Sequence, residues 1–423
     1  DPSWSPLGVG FLSTYDRLFP ILESDEALAE SVGRFVPWVK TPRDVIRLLD
    51  VYLVQTLAKR VLRYQHLSDN EPARIVTPVI CLGDNTVTQP WMDWLFTSTY
   101  VYPYPPSGIQ DLLVTASDRD GVGRIASYSY GLGEQCAPKA ATLETYRETG
   151  GNPRFDLRDP RRFPKPIAAC YWYLNSRMAG LYFPRIGDVT GPDKYYGSWM
   201  NTMAPQMRLG WRWTRDPKFA YVLKQYGTRE NETDKEWAAI ERAAASVKRA
   251  PWLDAPSRVL INWFGLLETG REHDAPRFRR NVYLRIGQGH GHAHADTLDL
   301  QGHAHGYPFT IDGGQRNGYS RPSDVKTRVH NLVEVDGKDW MGHSWIRTLT
   351  DAEGARYLEA EATGDRGHTN VSLYRRQVAL LDVDAGGLTL YHRPEGTLGS
   401  IPKEVVSPNS YIFDVEDVGI GGD

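Results

Sequence analysis

Gly289-His290-Gly291-His292-Ala293-His294-Ala295-Asp296 sets three imidazoles and a carboxylate at every second position. In an extended strand that period puts all four side chains on one face. Leu298 and Leu300 continue the same face, while Gly291, Ala293 and Ala295 keep the other side small. Same-facing imidazoles are costly unless they meet a metal, acidic groups or a ligand. The chain has eleven histidines, and ten of them lie beyond residue 270, so imidazole chemistry is concentrated in its C-terminal part.

Two further segments extend this constellation. Thr310-Ile311-Asp312-Gly313-Gly314 reads as a strand ending in an acid and a turn, and Arg328-Val329-His330-Asn331 follows it. Nitrogen and oxygen donors such as His294, Asp312 and one more histidine suit zinc or a similar metal. Around them the sequence is β-rich: short alternating or β-branched runs at Val259 to Trp263, Asn281 to Ile286, Phe309 to Ile311, Leu332 to Val335, Tyr357 to Ala362, Val371 to Leu381 and Tyr411 to Val415 are separated by Gly and Asp. Residues 256–423 are expected to form a β domain of sandwich type.

Upstream the period changes. Thr41-Pro42 is a cap followed by proline in the first turn, and Val45, Ile46, Leu49, Leu53, Leu57 and Val61 recur at helical spacing. A second helix begins at Asp216-Pro217 and stops at Gly227, and a third starts at Asp234. Pro- and aromatic-rich connections such as Tyr102-Pro103-Tyr104-Pro105-Pro106 lie between. Residues 1–250 are therefore expected to be helical. The chain starts at Asp1 without a leader, and its last residues read as a strand running into a turn. The expectation is a helical domain incomplete at its start and a β domain that continues past its end.

With 423 residues the chain exceeds the usual size of one core. Its formal net charge of −3 argues against a general nucleic-acid binder, which needs a broad basic surface. Local basic clusters exist at Arg154, Arg158, Arg161 and Arg162, at Arg279-Arg280 and at Arg375-Arg376, and they offer guanidinium partners for an anionic ligand. The 13 Trp and 23 Tyr include plates of the kind that line sugar clefts. Cys81, Cys136 and Cys170 make neither a disulfide framework nor a metal knuckle. No apolar run approaches the roughly 20 residues of a membrane span.

Taken in order, the Gly289 to Asp296 run, Tyr307 to Gly314 and Arg328 to Gly337 resemble the signature of the heparinase II/III-like polysaccharide lyases. The resemblance implies a multidomain α+β fold, an incomplete (α/α) toroid followed by an antiparallel β-sandwich. It also implies a catalytic tyrosine in an Asp-Gly segment, here Asp120-Gly121 to Tyr130. The position of the family's glutamate holds Ile125, which leaves Tyr128 as a rival to Tyr130. For the family's upstream asparagine the nearest match is Asn85, in Gly83-Asp84-Asn85-Thr86, without the histidine that sometimes follows.

The implied chemistry is β-elimination on an anionic, uronate-containing polysaccharide of glycosaminoglycan or alginate type. Tyr130 would serve as base and acid, while His292 and Asn85 would neutralise the uronate carboxylate. His294 and Asp312 would hold one structural divalent metal, zinc by donor type, with His330 or His368 as third ligand. The family's later histidine before arginine is replaced by Tyr374. Tyr319, Arg321 and Arg328 fall where the family contacts its sugar chain. A secreted or periplasmic location follows from such a substrate. Two other readings stay open: a hydrolase using the metal to activate water, and a non-catalytic carbohydrate-binding relative.

Overall fold

Thr41 starts a helix as the sequence predicts, through a reciprocal capping box. Its hydroxyl accepts from the Asp44 amide, and the Asp44 carboxylate accepts from the Thr41 amide. The computed structural model describes residues 7–64, 71–83, 85–97, 108–115, 117–123, 136–178, 184–187, 199–226, 229–251, 253, 255–261, 263–270, 279–287, 293–304, 307–310, 325–363, 368, 370–382 and 410–420.

The helix predicted over 41–61 is interrupted. It consists of α3 (Pro42–Leu49), a π-helical turn (Asp50–Val54) and α4 (Gln55–Tyr64). Within the turn the Gln55 amide donates to the Asp50 carbonyl, five residues back. Ahead of it lie α1 (Leu7–Leu22) and α2 (Glu26–Gly33), and after it α5 (Glu71–Leu82), α6 (Gln89–Thr97), α7 (Ile109–Thr115) and α8 (Cys136–Glu148). Next come α9 (Lys165–Asn175), α10 (Trp199–Thr214), α11 (Pro217–Tyr226) and α12 (Asp234–Ala245). The last two match the predicted second and third helices. Thr233 and Glu236 repeat the capping box at α12; such a cap contributes about 1 kcal/mol.

Two antiparallel sheets follow, each a simple meander. The first has the order β1 (Arg258–Leu260), β2 (Phe264–Thr269), β3 (Arg280–Arg285), β4 (Leu300–Ala304), β5 (Tyr307–Phe309). The second runs β6 (Ser344–Ala352), β7 (Ala355–Ala362), β8 (Val371–Asp382), β9 (Ser410–Ile420). One apolar core draws on both: Leu267, Val282, Leu284 and Leu300 from the first sheet meet Leu358, Ala360, Val378 and Leu380 from the second, with Trp340 among them. Each such valine or leucine side chain contributes about 1.5–3 kcal/mol on burial. The sheets approach closely at Gly265, where a Cβ would come within 2.9 Å of the Leu358 side chain. The protein is thus a multidomain α+β chain, as expected.

Three strands lie outside the predicted set. Every residue of β2 is buried, so it carries no alternation to read. β4 falls just past the histidine run, and most of β6 is exposed or half-buried. Conversely, Leu332 to Val335 is not a strand; its one ladder contact is an isolated bridge from Val335 to Lys338, and Leu332 and Val333 pack on the core as loop residues.

The chain divides into two compact units. One comprises Asp1–Gly121 and Gly133–Pro166, the other Val122–Leu132 and Ile167–Asp423. The expected division at residues 250–256 follows a change of secondary structure. The compact units follow packing, and the second takes in helices as well as both sheets.

Candidate active site

Strand alternation gives β3 two different faces. Val282 and Leu284 enter the apolar core, so Asn281, Tyr283 and Arg285 occupy the opposite face. The register sets Asn281 opposite Glu268 of β2 and His303 of β4, and all three are buried. A polar row therefore crosses three strands without access to water.

Buried charge needs partners, and Glu268 has them. Its Oε2 accepts from Arg258 Nη1 at 2.9 Å and from Arg279 Nη2 at 3.1 Å. Gln301 is wired as completely: its Nε2 donates to Asp299 Oδ2 (2.8 Å) and to the Arg185 carbonyl (2.9 Å), and its Oε1 accepts from the Arg185 amide. None of these residues stood out in the sequence as a group. The available signal was the density of Arg, Glu, Asn, Gln and His inside runs that otherwise read as core strands.

The described end of the histidine run leaves the predicted strand geometry. Ala293 to Asp299 forms a non-strand connection into β4. Leu298 takes φ 63°; its amide donates to the Arg285 carbonyl, and the Asp299 amide turns back to the Asp296 carbonyl. Ala295 is fixed instead by Val325, whose carbonyl accepts its amide, and by the Thr327 hydroxyl, which donates to its carbonyl at 3.0 Å. The period of two thus ends before Leu298, which reaches the core through a turn.

This connection brings two imidazoles together. His294 is 1% exposed, and its ring centroid lies 5.5 Å from that of His330, itself 8% exposed. His330 is held by its amide, which donates to the Thr327 carbonyl. His368 is occupied differently, stacked on Trp340 at 3.8 Å with the planes 4° apart. Of the two expected third ligands, His330 is the neighbour of His294. Two imidazoles with a carboxylate fit zinc chemically. Among the described residues no group of three or more His, Cys, Asp or Glu side chains is gathered closely enough to hold a metal, and Asp312, the expected carboxylate, lies outside the described residues. Asp296, which closes the run, faces Arg285, 3.5 Å from its Nε.

His290, His292, Tyr128, Tyr130, Tyr319 and Arg321 also lie outside the described residues. Arg328 is exposed on the short 3-10 turn Thr327–Val329. Trp263 Nε1 donates to the carbonyl of Gly123 at 3.2 Å, which ties the start of the Asp-Gly segment to the loop between β1 and β2.

Asn85 does a turn's work. Its Nδ2 donates to the carbonyls of Leu82 and Gly83, and its Oδ1 accepts the amides of Val87 and Thr88 ahead of α6. Both amide hydrogens are engaged, so a substrate carboxylate would have to displace one of these bonds.

Most of the arginine clusters are structural. Arg158 pairs with Asp156 and Glu144, Arg154 with Asp93, Arg375 with Glu361, and Arg376 donates to the carbonyls of Leu298 and Asn331. Two described tyrosines are poor bases. Burial and a bond to Asp216 push the Tyr171 phenol up to about 12, and burial with a bond to Asp50 raises that of Tyr15 further. Burial also pushes the Cys170 thiol up to about 12, which keeps it protonated.

The heparinase III-BT4657 gene product matches with a TM-score of 0.52 at 15% identity, over 80% of this chain and 48% of that one. The fold is similar to heparinase III. The same gene product with methylated lysines gives 0.53 at 14% identity, covering 84% and 52%. The heparan sulfate lyase HepC from Pedobacter heparinus gives 0.52 at 14%, covering 81% and 48%. The chain spans about half the length of these structures. No family model and no curated protein matches it. The heparinase-type resemblance read from the three motifs is met independently by the fold.

Proposed function

We propose that this chain is a polysaccharide lyase that cleaves an anionic, uronate-containing polysaccharide by β-elimination. The observation that carries the reading is a coincidence: the chain that bears the three heparinase-type motifs is also similar in fold to heparinase III, over about half of that structure's length. On this reading the helices belong to an incomplete toroid and the two sheets to a β-sandwich.

Elimination has an electrostatic difficulty. Charge flows into a carboxylate that is already negative as the C5 proton leaves, so donors must meet that carboxylate. His292 takes this role. Asn85, engaged in its turn, is the weaker donor of the two assigned. The Tyr130 phenolate removes the C5 proton, the electron pair forms the C4–C5 double bond as the C4–oxygen bond breaks, and the Tyr130 phenol returns its proton to the leaving oxygen. With an ordinary phenol pKa of about 10, Tyr130 needs nearby positive charge to act. Tyr319, Arg321 and Arg328 bind the sugar chain. A polymeric substrate of this kind implies a secreted or periplasmic enzyme; no described helix is long and apolar enough to cross a membrane.

His294, Asp312 and His330 would hold the zinc. When bound it supplies a fixed point between the run ending at Asp296 and the segment around Thr327, and so orients His292. Purified protein is expected to contain about one zinc per chain. Chelation should lower the melting temperature, zinc should restore it, and His294→Ala should abolish both responses. A melting temperature indifferent to chelation, in protein free of metal by mass spectrometry, would remove zinc from the proposal.

The function is tested by incubating the protein with heparan sulfate, chondroitin sulfate, hyaluronan and alginate while recording near-ultraviolet absorbance. An unsaturated uronate product absorbs there, and a hydrolysis product does not.

A further inference from the structure

The unit formed by Asp1–Gly121 and Gly133–Pro166 contains a cavity of about 440 Å³ that none of the assigned chemistry uses except through Asn85. Its wall is the helix from α3 through the π turn, faced by the start of the α6 turn. Arg43, Asp44, Arg47, Asp50, Gln55 and Asn85 supply its polar lining, and Val51 and Val87 part of its apolar lining.

Several observations converge on an anionic occupant. Arg43 and Arg47 stand one helical turn apart on one face, and like charges at that spacing repel. Among the described residues neither guanidinium has a hydrogen bond or an ion pair, in contrast to Arg158, Arg208, Arg258 and Arg356, each of which meets a carboxylate. The two acids of the cavity are already committed. Asp44 accepts the amides of Lys40 and Thr41 and the Thr41 hydroxyl, and Asp50 accepts the Tyr15 hydroxyl at 2.6 Å. They anchor the wall; they do not neutralise the arginines at contact distance.

The π turn is the second, independent feature. Such turns cost helix stability and recur at functional sites. This one begins at Asp50, inside the cavity, and carries Val51, 40% exposed; Val87, across the opening, is 45% exposed. Asn85 fixes the turn that carries Val87 through four hydrogen bonds. Two exposed guanidiniums with no hydrogen bond or ion pair among the described residues, beside exposed aliphatic surface, match a sugar unit, which has a charged substituent and an apolar C–H face.

We infer that this cavity is a glycan subsite, in which Arg43 and Arg47 hold a carboxylate or sulfate of one sugar unit while Val51 and Val87 pack against its ring. The inference rests on the polysaccharide reading for the source of the anion, and not on the lyase chemistry.

Calorimetric titration of the full chain tests it, in a Tyr130→Phe background so that the probe is not consumed. The probes are a heparin tetrasaccharide, a hyaluronan tetrasaccharide and inorganic sulfate. Arg43→Gln/Arg47→Gln is expected to weaken the bound tetrasaccharide at least tenfold and to flatten its salt dependence. Arg17→Gln/Arg34→Gln, which removes the same charge from exposed positions of the same unit, should stay within twofold of the parent. Preference for the heparin or the hyaluronan probe then identifies sulfate or carboxylate as the anion. Affinity within twofold of the parent in Arg43→Gln/Arg47→Gln overturns the inference. So does an equal loss in the control pair, a parent that binds neither tetrasaccharide, or sulfate binding as tightly as the sugars. The lyase reading is scored separately, by near-ultraviolet product from the wild type. Weakened binding with no such product leaves the subsite standing and removes the lyase; product with unweakened binding does the reverse.

Discussion

Replacing Tyr130 by Phe is expected to lower kcat by about 10²–10⁴-fold, the range that one positioned acid–base group supplies, while the Kd of an intact oligosaccharide changes little. The hydroxyl is the only group removed, so the loss falls on proton transfer. Tyr128→Phe is the internal control, since the two tyrosines compete for the same role in the Asp-Gly segment. A fall confined to Tyr128→Phe would move the assignment by two residues. Unchanged turnover in both would remove tyrosine from the chemistry altogether. Rapid chemical quench separates this from a binding defect, because a residue that acts in the chemical step lowers the single-turnover rate at saturating substrate.

Glu268→Ala should be the most damaging single change to the fold of the second unit. Glu268 is 1% exposed and lies between Arg258 and Arg279, the latter fully buried. Removing the carboxylate takes away an acceptor shared by two guanidiniums, one of them wholly interior, a loss of about 3–5 kcal/mol. Glu268→Gln keeps two acceptor lone pairs at the same place and should cost less. Differential scanning calorimetry is the suitable measurement, since the two compact units need not melt together. A loss below about 1 kcal/mol in Glu268→Ala would mean that water reaches this row and that the sheet face is not the dry layer described.

How much of this could be read in advance depended on whether a signal was local. Thr41-Pro42 with Asp44, and Thr233 with Glu236, are complete within four residues, so those helix starts are legible. The π turn is not, because nothing in Asp50 to Val54 departs from a helical pattern; its partner Tyr15 is thirty-five residues away. β7 alternates buried and half-exposed residues and reads as a strand, while β2 is buried throughout and gives no period at all. The histidine run shows both cases. Its motif was informative about family resemblance, while at its described end the period of two gives way to a turn, in which Leu298 takes a left-handed backbone, its amide bonding the Arg285 carbonyl and its carbonyl accepting from Arg376.

The candidate site divides along the same line. The imidazole that neighbours His294 is His330, a pairing set by tertiary packing, which stacks His368 on Trp340 instead. Asn85 was matched by its place in the sequence, and the bonds of its own turn competed for the same amide. The row Glu268, Asn281, His303 was not legible, since only strand register aligns residues so far apart in the chain.

The central claim is elimination, and the most direct measurement is mass spectrometry of the products formed from a uronate-containing oligosaccharide in water enriched in oxygen-18. The lyase reading predicts two fragments whose masses sum to that of the substrate, with a double bond at the new non-reducing end and no heavy oxygen incorporated. Fragments that together exceed the substrate by one water, with oxygen-18 at the newly formed end, would contradict it and establish hydrolysis.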